Sequence, residues 1–337
     1  MSQARVGLVG VSAFLPPYRR SSDEVEALVA ARSPGYRVRE GVVEALSGIR
    51  ERRVAHEDLN ASDLAAQAAL RVLRETGIPA TEVDVLIFAA AGQDLIEPAT
   101  ANIVQEKIGT SCPVFDLKNA CNSFLNGLQV AEALILAGHH HTALVVAGEL
   151  NSRAVRWDAR NHNDFRLNFP GYTLGDAGAA ALLAPSDNGR GIFYRSFATL
   201  SRFWDLATLA SGGTMHPRGD EWTYIRGDGS RLREAFLEYG PPLVRDALRK
   251  SGTSLYDFDR ILVHQVSMPY LRDVVQALDM PNDRIEVTLP CLGNMAAASL
   301  PVAYAQAVAR GAIKPGDRVL WLGLASGISL GVLMMEA

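Results

Sequence analysis

The chain reads as an α/β protein built from two copies of one unit. Three observations lead there. Helix-spaced and strand-like segments alternate along the whole length, the pattern of α/β proteins. An amphipathic helix followed by a buried strand occurs in both halves: Asp63 to Glu75 before Glu82–Phe88, and Glu234 to Lys250 before Asp257–His264. Cys121 and Asn294 each open a helix that stops at a glycine 17 residues later, Gly138 and Gly311.

The remaining elements follow the same order in each half. A proline-bearing loop (Pro98, Pro269) leads into a helix, Ala99–Lys107 or Tyr270–Leu278. A strand closing on glycine comes after the glycine-stopped helix: Ala143–Gly148 and Arg318–Gly323. Each half then ends with a glycine-rich turn into a last strand, Gly175–Leu183 and Ser326–Met334. The boundary falls between residues 1–185 and 186–337. A duplicated unit implies a pseudo-twofold axis. On that geometry the helix start at Cys121 faces the one at Asn294, and His264 sits at the strand-end rim where α/β sites form.

Bulk properties exclude several classes. With 337 residues, 48% of them hydrophobic, the chain can bury a large core or two fused ones. A net charge of -4 and the lack of a long basic run argue against nucleic acid. No uncharged apolar stretch reaches the length of a membrane span. Met1–Val6 enters a strand with no signal peptide before it. Cys112, Cys121 and Cys291 show neither metal spacing nor a disulfide framework. These features describe a reduced, cytoplasmic protein with no metal.

Cys121 carries the chemistry. An apolar approach (Pro113-Val114-Phe115) precedes it and a helix follows it. A cysteine at such a turn meets the positive end of the helix dipole and unpaired N–H groups. That setting is expected to lower its pKa and favour the thiolate. Cys112 and Cys291 read as packing residues. His139-His140-His141 follows the helix-stopping Gly138 and reads as an exposed turn rather than a metal tract.

Six segments resemble the thiolase superfamily, specifically its ketoacyl-synthase III-like condensing enzymes. They are Gly48–Arg53, Asn119-Ala120-Cys121, Gly175–Ala179, Val263-His264-Gln265, Gly293–Ser299 and Gly323–Gly327. Each is weak alone; together, in the family's order, they are specific. The resemblance implies a five-layer αβαβα thiolase fold and a homodimer. It implies a triad of Cys121, His264 and Asn294. Cys121 would hold an acyl group as a thioester. The N–H groups of Cys121 and Gly327 would form the oxyanion hole, each donor worth about 2.7–4 kcal/mol. A neutral His264 with Asn294 would bind the thioester oxygen of the second substrate. Substrates would be thioesters on CoA or acyl carrier protein, with no further cofactor. Arg50, Arg52 and Arg53 would meet the carrier's phosphate, or form a solvated basic turn.

Glu97 refines the resemblance. A carboxylate in this loop resembles the condensing enzymes of olefin biosynthesis, which join two acyl chains head to head. The loop would cross the dimer interface, and Glu97 would act as base on an α-carbon in the partner's pocket. Ketosynthases that join two β-ketoacyl chains into α-pyrones fit equally well. HMG-CoA synthases also pair a Glu with Cys and His but resemble the chain less. An acyltransferase that passes the Cys-bound acyl group to an alcohol or amine is the main alternative, and a non-catalytic subunit is a remoter one. The aromatic, Gly- and Arg-rich segments 151–173 and 201–230 read either as a cap with acyl tunnels or as surface loops packed by their own aromatics.

Overall fold

The computed structural model describes residues 4–337; the expectation for Met1–Gln3 lies outside the described residues. The first half runs β1 (Val6–Phe14), β2 (Tyr18–Ser21), α1 (Ser22–Arg32), α2 (Val42–Ser47), β3 (Glu51–Val54), α3 (Ala61–Thr76), β4 (Val85–Ala89), α4 (Thr100–Ile108), β5 (Val114–Leu117), α5 (Ser123–Leu136), β6 (Ala143–Glu149), α6 (His162–Tyr172) and β7 (Ala177–Pro185). The second runs β8 (Gly191–Thr199), β9 (Ala207–Thr208), β10 (Arg226–Gly227), α7 (Gly229–Ser251), β11 (Arg260–Val263), α8 (Met268–Leu278), α9 (Leu289–Leu292), α10 (Ser299–Ala309), β12 (Arg318–Ala325) and β13 (Ser329–Glu336).

Two mixed sheets share one topology. The first has the order β1-β7-β6-β4-β5 and the second β8-β13-β12-β11. In both, the inner pair is parallel (β4 with β6, β11 with β12); β4 also pairs parallel with the edge strand β5, and the remaining pairs are antiparallel. The place of β5 in the second sheet is reduced to one parallel bridge, Ile261 to Ile285. Even the bulges correspond: the register shifts at Val9 in β1 and at Phe193 in β8.

Side-chain patterning sets five layers. β4 and β6 are buried throughout, so helices must cover both faces of their sheet. α3 covers one face with its stripe Leu64, Ala65, Ala68, Ala69 and Val72. A capping box between Asn60 and Asp63 starts that helix, and Gly77 in the left-handed region ends it. α5 and α10 form the central layer, packed on the first sheet and against the second. α7 and α8 cover the outer face of the second sheet, around Phe236, Tyr270 and Val332. This is the thiolase fold.

The duplication is real, but its register differs from the one the helix-stopping glycines suggest. Ala120 and Ala296 both hold positive φ, +47° and +46°. Asn119 N–H donates to Ser123 Oγ, and Met295 N–H donates to Ser299 Oγ. α5 and α10 then begin at those serines. The equivalent of Cys121 is therefore Ala297, not Asn294. Counting back from Gly138 and Gly311 misled because α10 has 11 residues and α5 has 14. Neither helix includes its expected first residue; Cys121 and Asn294 both lie in the turns that lead in.

Smaller differences have similar causes. Pro269 sits in the first turn of α8, where its missing N–H costs nothing, rather than in the preceding loop. Cys291 is exposed and does not pack. The aromatics of 151–173 form a third small core with α1 and α2: Phe165 and Tyr172 are buried beside Tyr36, Trp157 and Phe169. In 201–230, Trp222 stacks on His216 while Trp204 and Met215 stay exposed.

Gly178 in β7 has no room for a side chain, since a Cβ there would lie 1.9 Å from the Leu64 carbonyl oxygen in α3. Backbone cannot rotate away as a side chain can. Gly178→Ala is expected to cost about 3 kcal/mol or more, read by urea denaturation. A change under about 1 kcal/mol would contradict the packing of α3 on β7.

Candidate active site

The turn before α5 is an elbow. Ala120 takes the left-handed region, which reverses the chain and presents Cys121. Ser123 locks the elbow: its Oγ accepts from Asn119 N–H at 2.7 Å and lies 2.7 Å from Ala120 O and 3.1 Å from Ala90 O. The asparagines on either side of Cys121 reach the other sheet. Asn119 Nδ2 donates to Ser329 Oγ (3.0 Å); Asn122 Nδ2 donates to Ser329 O (3.0 Å), with Ser329 Oγ at 3.1 Å. Ser329 begins β13, just after Gly327 in the β12–β13 turn. Gly327 has a φ of +117° and open space around it. The clamp thus ties the Cys121 elbow to the Gly327 hairpin.

β12 brings His264 to the same place. His264 N–H donates to Leu322 O at 2.8 Å. At the next residue, Gly323, a Cβ would lie 2.1 Å from Asn122 Oδ1, so only glycine lets the elbow seat on β12. His264 is 1% exposed, and neither ring nitrogen has a hydrogen-bond partner among the described residues. Burial disfavours its charged form and pulls its pKa down to about 4. The ring is neutral near pH 7, with one N–H to give and one lone pair to offer. Gln265 fixes the strand end, donating to Glu286 O and accepting from the N–H groups of Thr288 and Leu289.

Asn294 is held by backbone on both sides. Its N–H donates to Thr173 O (2.8 Å), and its carbonyl accepts from Gly175 N–H (3.0 Å). Its Oδ1 accepts from Ala296 N–H at 3.0 Å. That bond leaves Nδ2 as a free donor among the described residues. Gly293, with a φ of +70°, passes between Arg52 and Thr173, where a Cβ would meet Arg52 Cβ at 2.8 Å.

Arg52 does not fit the expected phosphate contact. It is 1% exposed, and its guanidinium donates to Tyr172 O, Arg20 O and Ser22 Oγ. It braces the 172–175 segment that holds Asn294. Arg53 donates to the carbonyls of Pro16 and Pro17. Arg50 is exposed, with Nη2 3.1 Å from Cys291 Sγ. Glu97 is exposed on the loop before α4, beside exposed Leu95 and Ile96, with no hydrogen bond or ion pair among the described residues.

The thiol also departs from expectation. Cys121 keeps part of its surface accessible, yet the protein crowds its sulfur. That desolvation, with a smaller contribution from the Glu149 carboxylate, pushes the thiol up to about 12 rather than down. Glu149 ends β6 fully buried. Its position was legible as the first charge after the apolar run Ala143–Gly148, and Asn119 and Asn122 as polar neighbours of a reactive cysteine. None of the three stands out without the packing.

These features define a thiolase-fold protein with a cysteine elbow, a neutral buried histidine and an oriented asparagine amide. Two family models match the chain: 3-oxoacyl-[acyl-carrier-protein] synthase III over residues 115–199 and its C-terminal region over 248–337. β-Ketoacyl-[acyl-carrier-protein] synthase III of Vesicomyosocius okutanii is 32% identical across 98% of both chains. That of Methylococcus capsulatus is 30% identical with the same coverage. Among solved structures, a cysteine-to-serine variant of Xanthomonas campestris OleA with bound lauric acid and lauroyl-CoA superimposes with a TM-score of 0.90, at 25% identity over 100% of each chain. The synthase III of Aquifex aeolicus gives 0.87 at 25% identity, over 98% of this chain and 100% of that one. The chain belongs to the 3-oxoacyl-[acyl-carrier-protein] synthase III family and is a condensing enzyme of the Claisen type.

Because His264 gains its proton only as pH falls through about 4, it stays neutral from pH 8 down to about pH 5. Its imidazole NMR signals, assigned with His264→Ala, are expected to hold constant across that range. An inflection near pH 6.5 would contradict the buried, neutral ring.

Proposed function

We propose that the protein joins two acyl or β-ketoacyl thioesters by a Claisen condensation through an acyl group held on Cys121. The observation that supports this is the Cys121 elbow seated through Asn122 on β12, the strand that also holds His264, whose neutral ring is unpartnered, while the Asn294 amide is left with a free donor. Loading is a thioester exchange. Cys121 Sγ attacks the donor's carbonyl carbon, and the bond to the carrier sulfur breaks. The thiol proton lost by Cys121 equals the one taken up by the departing carrier thiolate, so a high thiol pKa does not leave an uncompensated charge. The N–H groups of Cys121 and Gly327 bear the oxyanion during the attack.

The second thioester then enters. His264 and Asn294 Nδ2 donate to its carbonyl oxygen, which stabilises the enolate formed when its α-carbon loses a proton. Glu97 of a second copy takes that proton. The enolate carbon attacks the Cys121 thioester, the new C–C bond forms, and Cys121 leaves as thiolate and regains a proton. A β-ketoacyl thioester results, and one formed from β-ketoacyl chains can cyclise to an α-pyrone. No resident cofactor is needed.

Two features support a homodimer. β5 is an open sheet edge whose Val114, Phe115 and Leu117 are only half-buried, a surface that invites strand pairing. The Glu97 loop carries outward-facing Leu95 and Ile96 (49% and 71% exposed) that a partner would cover. Exposed Arg50 remains available to a CoA or carrier-protein phosphate. The lauroyl-CoA bound to OleA supports a long-chain thioester as the substrate class.

Intact-protein mass spectrometry with acyl-CoA and acyl-carrier-protein donors is expected to show one acyl adduct per chain, absent in Cys121→Ala. Stoichiometric loading of that variant would sink the assignment, and an ester or amide product in place of a C–C bond would turn it into an acyltransferase. Mixing Cys121→Ala with Glu97→Ala tests the shared site. Each variant alone is expected to be inactive. Random exchange makes half the dimers mixed, each with one intact site of two, so about a quarter of the parental rate should return. No recovery would show that Glu97 does not act across an interface.

A further inference from the structure

Glu149 is a fully buried carboxylate that the proposed chemistry leaves without a role. It ends β6, and three backbone N–H groups from two separate segments converge on it. Ala91 N–H donates to Oε1 at 2.7 Å, Gly92 N–H to Oε2 at 3.4 Å and Ala297 N–H to Oε1 at 3.2 Å. Ala91 and Gly92 open the loop that carries Glu97. Ala297 is the repeat equivalent of Cys121 and lies in the turn that Asn294 begins. Ala90 O, one residue before that loop, lies 3.1 Å from Ser123 Oγ in the Cys121 elbow. One carboxylate therefore joins the segments that hold three proposed functional side chains. In the second half, the elbow N–H is occupied by this carboxylate; in the first, the matching N–H at Cys121 is the proposed oxyanion donor.

We propose that Glu149 is a positioning residue of the condensation: its carboxylate fixes the Asn294–Ala298 turn and the start of the Glu97 loop relative to the Cys121 elbow. The kinetic part of this rests on the functional reading above. A buried acceptor with three donors resists displacement, because its loss would leave three N–H groups unpaired away from water. The charged groups around it are few. Lys118, in the Cys121 turn, places Nζ 3.2 Å from Gln93 Oε1. Asp176, beside the β7 residue paired with Glu149, is occupied by Ala55 and Ser152. Cys121 is the reactive group its charge reaches.

Two variants separate placement from charge. Glu149→Gln keeps the length and removes the charge; Glu149→Asp keeps the charge and shortens the reach. Both are compared with the parent by circular dichroism, by steady-state condensation kinetics and by the pH dependence of iodoacetamide alkylation at Cys121. Both variants are expected to lose about tenfold or more in kcat, with KM for either thioester changed less than about threefold. Burial raises Glu149 to about 7, so its charge is present above that pH; alkylation at a fixed pH above about 8 is expected to quicken severalfold in Glu149→Gln and to keep the parental profile in Glu149→Asp. Parental kcat in both folded variants would overturn the positioning role. Should one variant fail to fold, the other decides the kcat arm. If the parent forms no C–C bond, the functional reading falls, and alkylation still decides on Glu149: one pH profile shared by all three proteins would overturn its action at the elbow.

Discussion

The site depends on one interaction between the two sheets. Asn119 and Asn122, on either side of Cys121, both bind Ser329 at the start of β13. Without that clamp the elbow belongs only to the first half and the Gly327 hairpin only to the second. With it, Cys121 and the hairpin share one frame. Asn122 is fully buried and Ser329 nearly so, which strengthens the bonds and makes their loss costly. Gly323 completes the contact by letting β12 approach Asn122.

The duplication explains how one fold supplies two kinds of elbow. Both halves build a positive-φ alanine, a serine lock and a helix start. The first half places a cysteine at the apex, and its N–H is the proposed oxyanion donor. The second places Ala297 there and gives its N–H to Glu149. The same backbone device presents the proposed nucleophile in one copy and is structural in the other. Asn294, three residues before that apex, is freed to present its amide from a strand-like segment pinned to Thr173 and Gly175. His264 reaches the site from a strand end, held by Gln265 and with no local polar partner for its ring.

Much of this was legible in the chain itself. Alternating periodicities and paired glycine stops revealed the α/β class and the repeat, because both follow from backbone geometry. Cys121 stood out by residue type at a strand-to-helix turn; His264 and Asn294 were picked out by the resemblance to the condensing enzymes. The repeat register did not, because a helix shortened by three residues keeps its terminal glycine while its start moves. Arg52 looked like an anion site because sequence cannot distinguish a solvated guanidinium from one buried among carbonyls. The thiol environment was misjudged for a related reason: the helix dipole follows from local sequence, but desolvation and the approach of Glu149 depend on distant strands. Ser329 and Glu149 acquire their roles only when the sheets are packed.

The most direct test of this picture is a double-mutant cycle on Asn122→Ala and Ser329→Ala, read on unfolding free energy and on the rate of acyl loading at Cys121. A clamp shared by stability and chemistry predicts a coupling of roughly 0.5–3 kcal/mol in stability, with loading slowed in each single variant and little further in the double. Additive effects within about 0.5 kcal/mol, or parental loading rates in folded single variants, would contradict the claim that this contact builds the site.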